Sequence, residues 1–163
     1  LNPIHEGANG IQALDLLGRK AMMEGGAALK LLLRAIAATA AAAGTVPRLA
    51  EHALALTRAA GLVARTTGVL AEAMARGDVR AALANASRYL RLVGHVAVAW
   101  TWLRQALVAS AAPPASAAAR DVYAGKLAAC RWFFVHELPT IEHDAALLAT
   151  LDRCVLDTPP DVL

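Results

Sequence analysis

At 163 residues the chain is long enough for one domain with a real core, and 58% apolar residues, 4% aromatics and 41 alanines favour closely packed helices over sheets. Sixteen basic residues against thirteen acidic ones leave a net charge of +3, and no run of Lys and Arg forms the patch that nucleic acid would require. Mean hydropathy is +0.46, yet the uncharged stretches are short: 13 residues between Arg34 and Arg48, and 15 between Arg104 and Arg120, the second broken by Pro113-Pro114. A spanning helix needs about 18 to 20 consecutive apolar residues, so no membrane span is expected.

The punctuation divides the chain into five helical segments. Breaks are predicted at Gly25-Gly26, Gly44-Thr45-Val46-Pro47, Gly77-Asp78 and Pro113-Pro114. A segment over about residues 10 to 22 comes first, followed by one over about 26 to 43. At the second break Gly44 ends a helix, Thr45 is expected to cap the next one, and Pro47 sits in its first turn, where a missing N–H costs nothing. Leu49, Ala53, Leu56, Ala60, Val63, Thr67, Leu70 and Met74 then alternate at spacings of four and three, the seam of a helix packed along its neighbours.

After Gly77, Asp78 is expected to offer its carboxylate to the free amides of the next helix. The seam there reads Val79, Leu83, Ala86, Leu90, Val93, Ala97, Trp100, Leu103 and Leu107. The last segment repeats it with Tyr123, Leu127, Cys130 and Phe134, then Ile141, Ala145 and Leu148 beyond a kink at Pro139. Short connections force neighbouring helices to run antiparallel. The expected fold is therefore all-α, an antiparallel up-down four-helix bundle preceded by one extra N-terminal helical segment. Gly61, Gly68, Gly94 and Gly125, each costing up to about 1 kcal/mol in a helix, read as points of close helix approach.

Several constellations invite a chemical reading. His136 and His143 lie seven apart with Pro139 between them, whereas a helical zinc site needs histidines at i and i+4, so no metal is expected. His52 and His95 lack a local acidic or cysteine partner. Trp100, Trp102, Trp132, Phe133 and Phe134 could line an acyl or flavin pocket, although aromatics at helical spacing usually fill core or interface. Cys130 and Cys154 read as free core residues, since Leu1-Asn2-Pro3-Ile4-His5-Glu6 has neither the basic nor the apolar region of a signal peptide; a cytoplasmic location is expected.

The segment Ile4-His5-Glu6-Gly7-Ala8-Asn9-Gly10-Ile11-Gln12-Ala13-Leu14-Asp15-Leu16-Leu17-Gly18-Arg19-Lys20 is more specific. It resembles the stretch of acyl-CoA dehydrogenases that commonly reads Ile-Tyr-Glu-Gly-Thr-Asn-Gly-Ile-Gln-Ala-Leu-Asp-Leu-(Leu/Val)-Gly-Arg-Lys. The remaining helices resemble, in position and pattern, the extra C-terminal helical domain of the larger members.

The resemblance implies an oxidoreductase of fatty acid metabolism, with residues 1–24 ending its catalytic domain and 25–163 forming the C-terminal bundle. It implies that Glu6 is the base removing the α-proton of an acyl-CoA thioester, while the β-hydrogen leaves as hydride to FAD. Gly7 would let the backbone approach the substrate, and Ala8, Asn9, Gly10 and Gln12 would contact FAD, with a helix start there facing its pyrophosphate. Two positions depart from the family pattern: His5 replaces Tyr, and Ala8 replaces Thr, removing a hydroxyl that could donate to the cofactor.

Most flavin, CoA and acyl contacts in that family come from an N-terminal helical domain and a middle β-domain. The resemblance therefore implies a C-terminal portion inactive alone, working in a homo-oligomer, with an electron-transfer flavoprotein as a possible acceptor. The competing function class is a non-catalytic helical module that mediates oligomer contacts.

Overall fold

Three of the breaks expected from the sequence, at Gly25-Gly26, Gly44-Thr45-Val46-Pro47 and Gly77-Asp78, interrupt a chain of helices; the fourth, Pro113-Pro114, lies outside the described residues. The computed structural model describes residues 2–111 and 115–162, with the backbone alone for 2–7 and 160. The helices are α1 (Asn2–Asp15), α2 (Met23–Gly44), α3 (Ala50–Ala75), α4 (Val79–Ala84), α5 (Ala86–Ala111), α6 (Ala117–Trp132), α7 (Ile141–Ala149) and α8 (Cys154–Asp157). No strand occurs among the described residues. A π-helical turn over Leu16–Lys20 follows α1, another over Phe133–Glu137 follows α6, and a 3-10 turn at Leu138–Thr140 marks the interruption expected at Pro139.

Two of the predicted breaks rest on left-handed backbone. Glu24, Gly25 and Gly26 take φ of 50°, 63° and 80°, and Gly77 takes 89°, conformations that cost glycine little. The caps differ from expectation. Thr45 turns its hydroxyl back to the carbonyl of Ala42 at 2.8 Å and so closes α2 rather than opening the next helix. Asp78 makes no side-chain cap; its carboxylate accepts from Arg153 Nη1 at 3.3 Å. A further break at Asn85 (φ −111°, ψ 31°) separates α4 from α5, and its side-chain amide donates to the carbonyl of Asp152 at 2.9 Å.

The chain divides into two compact units, residues 1–31, 62–93 and 142–163 forming the first, and 32–61 and 94–141 the second. In the first unit the core is built from Ala13, Leu17 and Ala21, Val63, Leu70 and Ala73 of α3, Tyr89 and Leu92 of α5, and Ala145 and Leu148 of α7. Two polar devices lie inside it. Thr67 donates to the Val63 carbonyl at 2.7 Å, which leaves the buried Tyr89 hydroxyl as donor in their shared 2.8 Å bond. Asp144, fully buried, accepts from Arg91 Nε and Nη2, both at 2.6 Å, and from Arg88 Nη1 at 3.2 Å.

The second unit buries Ile36, Ala40 and Ala43 of α2, Ala53, Leu56 and Ala59 of α3, Val96, Ala99, Leu103 and Ala106 of α5, and Cys130 and Phe134 beyond them. Trp100 anchors there by donating its Nε1–H to Thr39 Oγ1 at 2.7 Å. Both cysteines are free, but only Cys130 lies in the core while Cys154 is exposed; burial pushes the Cys130 thiol up to about 11.

Helix α2 departs from one expectation. It is long and apolar enough to cross a membrane by length and composition, with a mean hydropathy of 1.5 over its most apolar window. Arg34 lies near its middle, where a charge would cost roughly 2.5–3.5 kcal/mol at the centre of a bilayer. The same helix turns Ile36, Ala40 and Ala43 into protein.

Three helical glycines also differ from expectation. A Cβ added at Gly68, Gly94 or Gly125 would meet nothing within 4 Å, so none is a point of close approach, whereas one at Gly18 would touch Leu83 at 3.5 Å.

Candidate functional site

Asn2 and Pro3 open α1, and Pro3 sits in the first turn, where its missing N–H has no intrahelical partner to lose. Helix then continues unbroken to Asp15 through Glu6, Gly7, Ala8, Asn9, Gly10 and Gln12. No helix start lies at residues 9–12, so the first-turn amides expected to face a pyrophosphate there belong to the middle of a helix. Gly7 and Gly10 each weaken a helix by about 1 kcal/mol without breaking it, and after Pro3 no proline intervenes.

The described side chains of this helix divide by face. Ala13 and Leu17 are fully buried and Gly10 is half-buried on the same face, matching the i, i+3, i+7 repeat. Ala8, Asn9 and Gln12 are exposed, as are Ile11 and Leu14, two apolar residues left 69% and 49% open. The side chains of Glu6 and Gly7 lie outside the described residues, while their backbone is helical. Asn9 and Gln12, three apart, share a side of α1 and could present two amide groups to a ligand.

Asp15 ends α1 in a charge cluster, 2.6 Å from Arg19 Nε and 2.8 Å from Lys20 Nζ. Hydrogen bonds from Arg19 and then Lys20 pull its carboxyl down to about 2. The resembling sequence thus continues as an ordered helical segment up to the π-turn that buries Leu17.

The other constellations disperse. His95 Nε2 lies 3.7 Å from Glu137, His136 stacks at 5.3 Å on Trp132, and Glu142 and His143 are exposed. No group of three or more potential ligands that could hold a metal occurs among the described residues. Of the five clustered aromatics only Phe134 is buried; Trp132 is 55% exposed, and Phe133 tilts against His95 at 6.0 Å.

His52 sits edge-on to Phe134 at 4.8 Å with its Nδ1 buried and unpartnered among the described residues. Burial lowers its pKa below the ordinary 6.5; Glu51 opposes the shift and Arg131 adds to it. Because the folded pKa is the lower one, the unfolded chain binds the proton more readily. The neutral ring's stability is complete above about 6.5 and is lost as pH falls through the folded value. Acidification from pH 7.5 to 5 should therefore lower the melting temperature of the wild type more than that of His52→Leu; equal slopes would overturn this.

Sequence reasoning missed the buried Asp144 and its two arginines, because 53 residues separate Asp144 from Arg91 and no local pattern joins them.

Comparison with known proteins gives these helices a family. Residues 32–159 match the family described as acetyl-CoA dehydrogenase C-terminal like. The chain is 32% identical over 166 aligned residues to the broad-specificity linear acyl-CoA dehydrogenase FadE5 of Mycobacterium tuberculosis, covering 96% of this chain and 27% of that protein. It is 35% identical over 117 residues to the 3-methylmercaptopropionyl-CoA dehydrogenase of Ruegeria pomeroyi, covering 67% of this chain and 18% of that protein. The chain thus spans about a quarter or less of the length of these relatives. By the match over 32–159 and the alignment along nearly all of its length, the chain belongs to the acyl-CoA dehydrogenases, as the C-terminal part of that family.

Proposed function

We propose that the chain works as the C-terminal portion of an FAD-dependent acyl-CoA dehydrogenase that introduces an α,β double bond into an acyl-CoA thioester. The observation that carries this reading is the alignment over 96% of the chain to an acyl-CoA dehydrogenase, taken with the Glu6-Gly7 segment at its start. Residues 1–24 close the catalytic domain in this reading, and 25–163 form its C-terminal domain, an up-and-down arrangement of four long helices. A cytoplasmic homo-oligomer, with an electron-transfer flavoprotein as acceptor, completes the proposal.

Within it, Glu6 takes the α-proton, because only a carboxylate held out of water beside a thioester has the proton affinity that abstraction requires. The flavin, when bound, supplies the hydride acceptor. Asn9 and Gln12 would hold its polar edge with their amides, which are exposed on α1; Gly7, Ala8 and Gly10 would let backbone come close. The residues fit such a group through side chains rather than through a helix N-terminus, since α1 runs unbroken through residues 9–12. Alone, the chain holds no flavin and oxidises nothing.

The test joins this chain to the preceding part of its enzyme. The joined protein should carry a flavin visible in its absorption spectrum, and acyl-CoA should bleach it anaerobically, while the 163-residue chain should be colourless. A joined protein whose purified flavin ignored every acyl-CoA offered would end the reading.

A further inference from the structure

The second unit carries an open groove of about 430 Å³ between α5 and α6. Its size falls within the roughly 300–1,000 Å³ of small-molecule sites. Its apolar lining is open to water: Val108 is 63% exposed and Val122 57%, with Ala109 and Tyr123 beside Thr101 and Gln105 in the same lining. Exposed β-branched side chains that line a cleft lose an unfavourable water contact as soon as an apolar chain enters.

Two cations border the groove, Arg104 from α5 and Lys126 from α6. Each lies over a tryptophan: the Arg104 guanidinium carbon is 5.2 Å from the centre of the Trp100 ring, and Lys126 Nζ is 5.4 Å from that of Trp102. These ring contacts hold the charges in place without neutralising them. Helix α5 contains no acidic residue, α6 contains only Asp121, and neither cation has a carboxylate partner among the described residues. A positive rim on an apolar cleft is complementary to one kind of molecule, a negative head on an apolar tail.

We propose that this groove binds a small anionic amphiphile, an aliphatic tail ending in a carboxylate or phosphate. The head lies between Arg104 and Lys126, and the tail runs along Val108, Val122 and Tyr123. Two cations around a concavity suit one head group; a lipid surface is met by clusters of about four to eight basic residues. The groove shares no residue with the Glu6 segment and requires no flavin, so its failure and the failure of the dehydrogenase reading are distinguishable.

The test titrates the 163-residue chain with dodecanoate and with dodecyl phosphate below their aggregation concentrations, following tryptophan emission and heat. Saturable one-to-one binding is expected for at least one of them, and the tighter of the two identifies the head group. Arg104→Gln with Lys126→Gln should weaken it about tenfold or more, since charge-assisted contacts are lost. Val122→Asp should abolish it. All three side chains are exposed or lie at the groove's edge, so folding is checked by an unchanged far-UV spectrum.

Dodecanol binding as tightly as dodecanoate, inorganic phosphate binding as tightly as dodecyl phosphate, or an affinity unmoved by the double variant would each overturn the proposal. So would the absence of saturable binding by either amphiphile.

Discussion

Replacing Glu6 by Gln in the joined enzyme is expected to leave flavin and fold in place and to slow reduction of the flavin by acyl-CoA by on the order of 10⁴-fold, the upper range for losing a positioned general base. Gln has nearly the same volume and helix propensity as Glu, so α1, which runs through residue 6, has no reason to unwind. What changes is the loss of a group that can accept a proton. An amide oxygen at that point still hydrogen-bonds but cannot take the α-proton away. Anaerobic stopped-flow mixing with acyl-CoA reads the step directly, because flavin bleaching follows proton abstraction and hydride departure together. Near-normal bleaching in the Gln variant would place the base on another residue and leave the resemblance at Glu6 without chemical meaning.

What could be read from the sequence depended on whether a signal was local. The seam along α3 was legible at Leu49, just ahead of the helix, and at Ala53, Leu56, Val63, Thr67 and Leu70, all buried, whereas Ala60 and Met74 are half-buried and their neighbours Ala59 and Ala73 are buried instead. The seam of α5 was read correctly at Ala86 and Leu103, both buried, and one residue too late elsewhere: Tyr89, Leu92, Val96, Ala99 and Ala106 are buried, while Leu90, Val93, Ala97, Trp100 and Leu107 are only half-buried. Past the break at Asn85 the count still lands on Ala86; it slips at the next step, where the core takes Tyr89 three residues on and the count took Leu90 four residues on. Tyr89 can lie in the core because Thr67 satisfies its hydroxyl there.

The candidate site was legible as a linear motif and illegible as geometry. Glu6 through Gln12 resemble a family segment position by position, but the helix start expected there falls where α1 is continuous. Glycine lowers helix stability without fixing another conformation, so neighbouring apolar contacts decide. Here Ala13 and Leu17, one and two turns beyond Gly10, are buried and hold the helix in place.

The cluster that no local pattern revealed should also be the most sensitive point of the first unit. Asp144 is wholly buried, whereas the side chains of Arg88 and Arg91 are 43% and 44% exposed. That inequality makes the pair asymmetric. Removing the acid lets both guanidinium groups turn to water, so Asp144→Leu should cost about 1.5–3 kcal/mol, the worth of its charge-assisted hydrogen bonds. Arg91→Met instead strands a buried carboxylate with the 3.2 Å contact to Arg88 alone, and should cost about 3–5 kcal/mol. Adding Asp144→Leu to Arg91→Met removes the stranded charge, so the double variant should be more stable than Arg91→Met by itself. Urea denaturation of the four proteins measures each difference. The two single effects adding up in the double variant, or Arg91→Met costing less than Asp144→Leu, would mean that Asp144 keeps enough water or other partners to need neither arginine, and that α5 and α7 are held together by apolar packing alone.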